Sequence, residues 1–469
     1  MTRYFIFPLS LLLILTPCSS IQSLRLDVTD FGAVGDGITE DTEAIQQAIQ
    51  HPTDQHKTVI LPANKTFLSA PLNLTSNMIF QVDGTLNAIV NTTLDFDSKW
   101  PQLPPLPNYA SGEDNGRYLQ YQSFLYAHSA TNLTIQGTGT IDGKGQWWWY
   151  AFQHLSHTLP AGRPNLVQIV NSTMIELKGV TLQNSPFWTI HPVLCDQVHI
   201  HHIKIRAPMY APNVDGVDPD SSSNVLIENN DISCGDDHIA VKSGRCGLGN
   251  SWIDGLKCQE DPRFASGIFL MSNLTIRYNI FRIGMGIALG SEISGGVENV
   301  DIHHNEIGVC EHGHDNPDRS CGWGHAFHIK TTLTRGGYFR NVRFANNIVY
   351  NNTGFVFIET DYQSSHQVPP PYPTTQIKNI SIIGNSAIGM AHAVTIGCSK
   401  YMPCEEVTVL DNWIANVPAD QNPYQCSNVT TYTEARNFPP GLGDCLHNSN
   451  AMQHVLDRQE EEEEEVSPI

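Results

Sequence analysis

The chain has 469 residues, 40% of them apolar, enough for one large domain or two to three average ones with a substantial core. Its formal net charge is −21, and −15 without the six-glutamate run Glu460 to Glu465. A surface this acidic excludes binding of nucleic acid through a general positive field, and an anionic ligand needs a local cluster of lysine and arginine.

The first residues read as a secretory leader. Arg3 precedes an apolar run from Phe5 to Leu15, followed by Pro17, Cys18, Ser19 and Ser20. The run is too short to span a bilayer, so residues 1–22 are expected to be a removed signal peptide, with no membrane attachment afterwards. Removal takes Cys18 and leaves ten cysteines, an even number that suggests disulfides, with neighbour pairs such as Cys398–Cys404 and Cys426–Cys445. There is no CxxC pair to support a zinc ribbon. Nine N-x-S/T sequons, at Asn64, Asn73, Asn91, Asn132, Asn171, Asn273, Asn351, Asn379 and Asn428, join the leader in favouring a glycosylated extracellular protein.

Next comes a helix ending at Gln50, capped by Thr39 or Asp41, with Ala44, Ile45, Ala48 and Ile49 on one face. Beyond it a short unit recurs: Asn, apolar, any, apolar, any, any, Asn. Its copies begin at Asn224, Asn273, Asn299, Asn341 and Asn379, and close on Asn230, Asn279, Asn305, Asn347 and Asn385; Val407 to Asn412 is another. Weaker copies start at Leu133, Ile175 and Val198. Alternating apolar residues are strand periodicity. From Ile175 the first apolar positions lie 23, 27, 49, 26, 42, 38 and 27 residues apart. The short gaps fit one coil of a right-handed parallel β-helix, and the long ones a coil with an inserted loop, or two coils. Asn can occupy a left-handed turn and hydrogen-bond its counterpart one coil away. The alternative is a sandwich with Asn-rich turns. The expectation is one all-β solenoid over residues 23–450, its N-terminal helix covering exposed strand edges, and an acidic disordered tail over 451–469.

Acidic residues concentrate in Asn213-Val214-Asp215-Gly216-Val217-Asp218-Pro219-Asp220 and in Gly235-Asp236-Asp237. Asp215 and Asp237 are 22 residues apart, close to one coil, which stacks them with Asp236 alongside. Crowded carboxylates repel, so at least one keeps its proton near neutrality. Such a set provides a proton donor and a water-activating base, the requirements of glycoside hydrolysis. Calcium binding or solvated turns are the plainer readings. Lys242, Lys330 and Arg335 follow as cations for sugar carboxylates, each alone more often a solvated surface charge. Gly137 to Lys144 fits neither phosphate-loop spacing. His312, His314, His325 and His328 crowd near Cys310 and Cys321, as a disulfide-pinned substrate loop or a metal site. His199 and His201 share a strand face and read as structural or exposed. Trp147, Trp148 and Trp149 stack on sugar or pack a loop. No metal or cofactor is assigned.

At these residues the chain resembles the polygalacturonases of glycoside hydrolase family 28, along nearly its whole length after the leader. The likeness lies in Asp30-Phe31-Gly32-Ala33, Gly35-Asp36-Gly37, Gly139 to Gly143 and Asn184-Ser185-Pro186-Phe187-Trp188. The family's NTDG reads Asn213-Val214-Asp215-Gly216, its GDD is intact, and Ile329-Lys330 ends its RIK. Tyr362 matches a late tyrosine, and Cys398 with Cys404 a late cysteine pair. The resemblance implies Asp236 as general acid and Asp215 with Asp237 as the pair activating water. It makes Lys330 and Tyr362 substrate contacts, with His328 at the arginine position of RIK. It also implies inversion of configuration, with acid and base about 6.5–9.5 Å apart. The implied substrate is a galacturonan of pectin, and the implied setting is extracellular or the cell wall, with the protein a monomer. The family's GHG reads Gly284-Met285-Gly286, without its histidine, and His238 replaces the cysteine that often follows GDD. Gly290-Ser291-Glu292 is a feature shared with exo-acting members. The rival functions are a silent pectin-binding solenoid, a hydrolase of a modified pectin such as rhamnogalacturonan, and a calcium-dependent lyase.

Overall fold

In a computed structural model the described residues are 24–90, 99–109, 119–155, 159–246, 262–310, 323–332, 335–362, 375–417 and 424–440. They wind into a parallel β-helix of three sheets. The first has 13 strands and the second 12; the third comprises runs of four and six strands. Isolated bridges through Val217 and Asp220 join those two runs, so the third sheet continues past the coil that carries Asp215.

The repeat read from sequence is the first sheet. Ile175, Val198, Val225, Leu274, Val300, Val342, Ile380 and Val407 are direct partners on successive strands. Each gap is therefore one coil, so the extra residues of the 49-, 42- and 38-residue gaps are insertions within a coil and not a second coil. Side chains alternate across the pleat, so every second residue enters the interior. Val225 and Ile227 are buried in Ser223–Glu228, as are Leu274 and Ile276 in Met271–Arg277.

The two asparagines of the repeat do different work. The opening ones adopt φ near +55°, as at Asn299 (57°) and Asn341 (55°), and form an exposed ladder in which Asn341 Nδ2 donates to Asn299 Oδ1 at 2.9 Å. The closing ones are buried. Asn305 Nδ2 donates to Asn347 Oδ1 (3.0 Å) and to the Ile276 carbonyl (3.0 Å), while Asn279 donates to Asn305 Oδ1 (3.0 Å). A buried backbone carbonyl at each corner is thereby satisfied.

The N-terminal helix is Thr42–Gln50 and buries Ile45, Ala48 and Ile49, with Ala44 half-buried against the core. Asp41 holds the N-cap position, but its carboxylate accepts from the amides of Val34 (2.6 Å) and Gly35 (3.2 Å) and not from the helix. Thr39 is therefore not the cap. At the other end Lys57 donates to the Ile49 and His51 carbonyls, placing a cation on the negative end of the helix. The three tryptophans lie in a second helix, Gln146–His154; Trp148 and Trp149 are buried and Trp149 donates to the Ser185 carbonyl (2.9 Å). They are packing residues and give no sugar-stacking platform, because the helix turns them onto the coils beneath.

Cys398–Cys404 is a disulfide, and Cys246, Cys310 and Cys426 are disulfide-bonded too. Cys195 and Cys234 are free and buried, so the even count does not mean complete pairing. Each of the two sits inside a coil, where burial pushes its thiol up, for Cys195 to about 12. No described helix is long and apolar enough to cross a membrane. The expected signal peptide, the acidic tail, Asn91, Cys258, Cys321, Cys445, His312 and His314 lie outside the described residues.

Candidate active site

The acidic residues lie on two successive turns between the second and third sheets. Asp215 follows the strand Lys204–Arg206, and Asp236 and Asp237 follow Asp231–Ser233. Val217 pairs with Ile239, and the Gly216 amide donates to the Asp237 carbonyl at 3.0 Å. Asp215 and Asp237 are thus stacked one coil apart, as their spacing requires. Glycine is needed at both turns: a Cβ on Gly216 would strike the His238 carbonyl, and one on Gly235 the Ala211 carbonyl.

Buried groups orient each carboxyl. Asp236 Oδ1 accepts from the Asp237 amide (3.0 Å) and Oδ2 from Asn213 Nδ2 (3.4 Å). Asn213 is fixed by Arg163, which donates to its Oδ1 (3.0 Å) and to the Pro212 carbonyl (2.7 Å) while stacking on Phe152 and Phe187. Lys330 Nζ donates to Asp237 Oδ2 at 2.6 Å and lies 5.3 Å from the Tyr362 ring centre. Lys242 Nζ lies 3.8 Å from Asp215, 3.3 Å from Asp218 and 3.4 Å from Glu292, over the Trp188 ring at 4.2 Å.

Lys242, Lys330 and the residues of Gly290-Ser291-Glu292 share one edge because they end neighbouring strands of the third sheet: Ile239–Val241, Ile287–Leu289 and His325–Lys330. A Cβ on Gly290 would run into the Lys330 carbonyl, so the close stacking at this point also depends on glycine.

Burial separates the acidities. Removal from water, then the neighbouring Asp237 charge, raises Asp236 to about 6. Burial, reinforced by Asp218 and Asp236, lifts Asp215 well above the usual carboxylate range. Burial takes Asp218 to about 7. Glu292 is held far below its usual range: its burial is outweighed by the charges of Lys242, Arg335 and Arg245. Lys242 and Lys330 stay charged, since the carboxylates around each outweigh the cost of burying the ammonium. One edge therefore carries carboxyls that keep their protons to unusually high pH, the ionised Glu292 and two fixed cations within a small volume.

The sequence-derived residues divide accordingly. Asp215, Asp236, Asp237, Lys242 and Lys330 converge, with Tyr362 beside Lys330. Lys242 and Arg335 are not solvated surface charges: both are buried, and Arg335, lowered to about 10 by burial, faces Glu292. His328 Nε2 pairs with Glu359 Oε1 at 2.8 Å, 6.0 Å from the Tyr362 ring. Sequence reasoning did not select Glu292, Asp218, Asn213 or Arg163 as site residues. Glu292 and Asn213 stood in recognised motifs and Asp218 in the acidic segment; Arg163 carries no local signal, since contacts across coils create its role. Asp220 is bound by Tyr109 (2.6 Å) and Asn108 (2.9 Å) and anchors a neighbouring segment.

His238 and Met285 meet at the same turn. The buried His238 accepts from the Gly286 amide at Nδ1 (3.1 Å) and donates from Nε2 to the Ile283 carbonyl (3.1 Å), so it is neutral; burial lowers it to about 4. A Cβ at Gly284 would lie 2.6 Å from its Nε2. The ring grips the turn whose Met285 amide donates to the Asp236 carbonyl at 2.8 Å.

A parallel β-helix with clustered aspartates, one of them poised as an acid near pH 6, defines a solenoid of the carbohydrate-cleaving kind. Residues 53–435 match the family described as Glycosyl hydrolases family 28, and the chain belongs to that family. It is 32% identical to a probable polygalacturonase of Vitis vinifera over 76% of this chain and 68% of that one. It is 30% identical to an endo-polygalacturonase of Pectobacterium parmentieri over 69% and 72%. The structure resembles a hyperthermoactive exopolygalacturonase from Thermotoga maritima, with a TM-score of 0.70 and 25% identity over 89% of this chain and 92% of that one. Polygalacturonase from Erwinia carotovora superposes with a TM-score of 0.61 at 25% identity, over 87% and 96%.

Proposed function

We propose that this protein is an inverting polygalacturonase, hydrolysing α-1,4 galacturonosyl bonds of pectin, and that it acts outside the cell as a monomer without a cofactor. The arrangement of Asp236 supports this most directly: a partly buried carboxyl raised to about 6, beside Asp237 and held by Asn213. Asp236 protonates the leaving glycosidic oxygen, and Asp215 and Asp237 are the pair that activates the attacking water: Asp237, ion-paired with Lys330, takes its proton, while Asp215, raised by burial, orients it by a hydrogen bond. Lys330 and Lys242 answer the charge objection raised by the acidic composition, being local fixed cations beside the acids for a uronate. Tyr362 and His328 extend the same edge as substrate contacts, with Arg335 behind it. The leader-like N-terminus, the sequons and the disulfides support secretion to the cell wall.

Reducing-end release from polygalacturonate tests the activity, and NMR of the first-formed anomer tests inversion. Opposite anomeric configuration in substrate and product is expected. No release from a broad pectin panel at any pH leaves a binding solenoid, and unsaturated products abolished by a chelator indicate a lyase.

A further inference from the structure

We propose that the outer face of the first sheet carries a binding site for a divalent transition cation of the zinc or copper class, formed by His199, His201 and Glu176 with Glu228 at its margin. Strand pairing sets its geometry. His199 and His201 are two apart on Asp196–His201 and so project from one face. Glu176 is the direct partner of His199 on the preceding strand, and Glu228 that of His201 on the following one. One ligand atom from each of Glu176, His199 and His201 falls within 4.8 Å of the others. The imidazoles stack with centroids 4.0 Å apart. Two imidazoles and a carboxylate suit Zn²⁺ or Cu²⁺, whereas Ca²⁺ prefers an all-oxygen shell.

The surrounding contacts hold these groups in place. Lys178 pairs with Glu176 Oε2 (2.7 Å), leaving Oε1 facing His201 Nε2 at 3.1 Å. Arg277 pairs with Glu228 Oε2 (2.7 Å), leaving Oε1 facing His199 Nε2 at 3.0 Å. Each carboxylate is thus anchored through one oxygen and presents the other to an imidazole. On the far side of His201, Nδ1 lies 2.8 Å from His202 Nδ1. When His201 carries its proton on Nδ1 it donates to His202, and its Nε2 lone pair is free for a metal. Donation of the second ring N–H to a fixed acceptor is the usual support of a ligating histidine. The site lies on the first sheet, away from the turns that hold Asp215 and Asp236, and it ties neighbouring coils together without entering hydrolysis.

Calorimetric titration of the full-length protein with ZnCl₂ tests this. One saturable site is expected, absent with CaCl₂, along with a Zn²⁺-dependent rise in melting temperature. His199→Ala and His201→Ala should each abolish it, and Glu176→Gln, which keeps the side-chain shape, should weaken it by about tenfold or more. In the Cu²⁺-loaded protein, electron paramagnetic resonance should show coupling to two nitrogens, falling to one in either histidine variant, with unchanged circular dichroism. Absence of saturable Zn²⁺ and Cu²⁺ binding would overturn the proposal, as would unchanged affinity in the double variant H199A/H201A.

Discussion

At the scale of residues, the site works by giving chemically similar carboxyls different environments. Asp236 and Asp215 lose water and gain negative neighbours, while Glu292, also withdrawn from most of the water, faces Lys242, Arg335 and Arg245 and stays ionised. Asp236→Asn keeps shape and most hydrogen bonds but removes the transferable proton. Its kcat should fall by about 10²–10⁴-fold with the melting temperature little changed. A folded variant with unaltered kcat would sink the assignment of the acid. Because the acid titrates near 6, kcat of the native enzyme should decline on the alkaline side as Asp236 loses its proton; a rate rising through pH 7 would contradict this. Glu292→Gln leaves Lys242 and its arginine neighbours without their shared counter-charge. Removing one partner of a buried ion pair typically costs about 3–5 kcal/mol, so urea unfolding should show a large loss in the folded state. A loss below about 1 kcal/mol, the range of exposed pairs, would mean that Glu292 is not the counter-ion inferred here.

Elements matter chiefly through what each coil hands to the next. The closing asparagines are buried hydrogen-bonding links, and the opening ones form an exposed ladder. Asn305→Ala leaves the Ile276 carbonyl and donors on Asn279 without partners, and each buried orphan costs about 1–3 kcal/mol. Asn341→Ala loses exposed contacts and places alanine at φ +55°, a cost of about 1–2 kcal/mol. Denaturant melts of both variants should rank Asn305→Ala as clearly more damaging; equal losses would disprove the division of labour. The turn 283–286 is a second case. It is gripped by His238, and its Met285 amide holds the Asp236 carbonyl, so a sequence change in one coil repositions the acid of another.

For the whole molecule, the same buried groups make stability depend on pH. Asp236 and Asp218 have folded values near 6 and 7 against 3.8 for the free side chain. These two carboxyls bind more protons in the folded state between about pH 4 and 7 and by themselves lower stability as pH rises through that window, whereas the buried His238 and His325, lowered to about 4 from 6.5, oppose them up to about pH 6.5. Glu292 acts oppositely. Its folded value lies below 4.5, so its contribution is present above about pH 4.5 and is lost as pH falls further. The melting temperature should be highest and nearly flat between about pH 4.5 and 6.5, and drop on either side. A maximum above pH 8 in a differential scanning series would show that these groups do not dominate the linkage.

The sequence by itself determined the solenoid, because a period-two apolar pattern with asparagine at fixed offsets has to be satisfied at every coil. It also determined the stacking of Asp215 and Asp237, since 22 residues close one turn. It did not determine that each long gap is a single coil, because a loop's length does not reveal whether its ends pair. The roles of Glu292, Asp218 and Arg163 were decided only by tertiary structure. Their partners lie one or more coils away, and burial, which local sequence does not encode, sets which carboxyl keeps its proton. The same holds for Trp148 and Trp149: the residue type suits sugar stacking equally well, and only the helix that carries them turned them into the core.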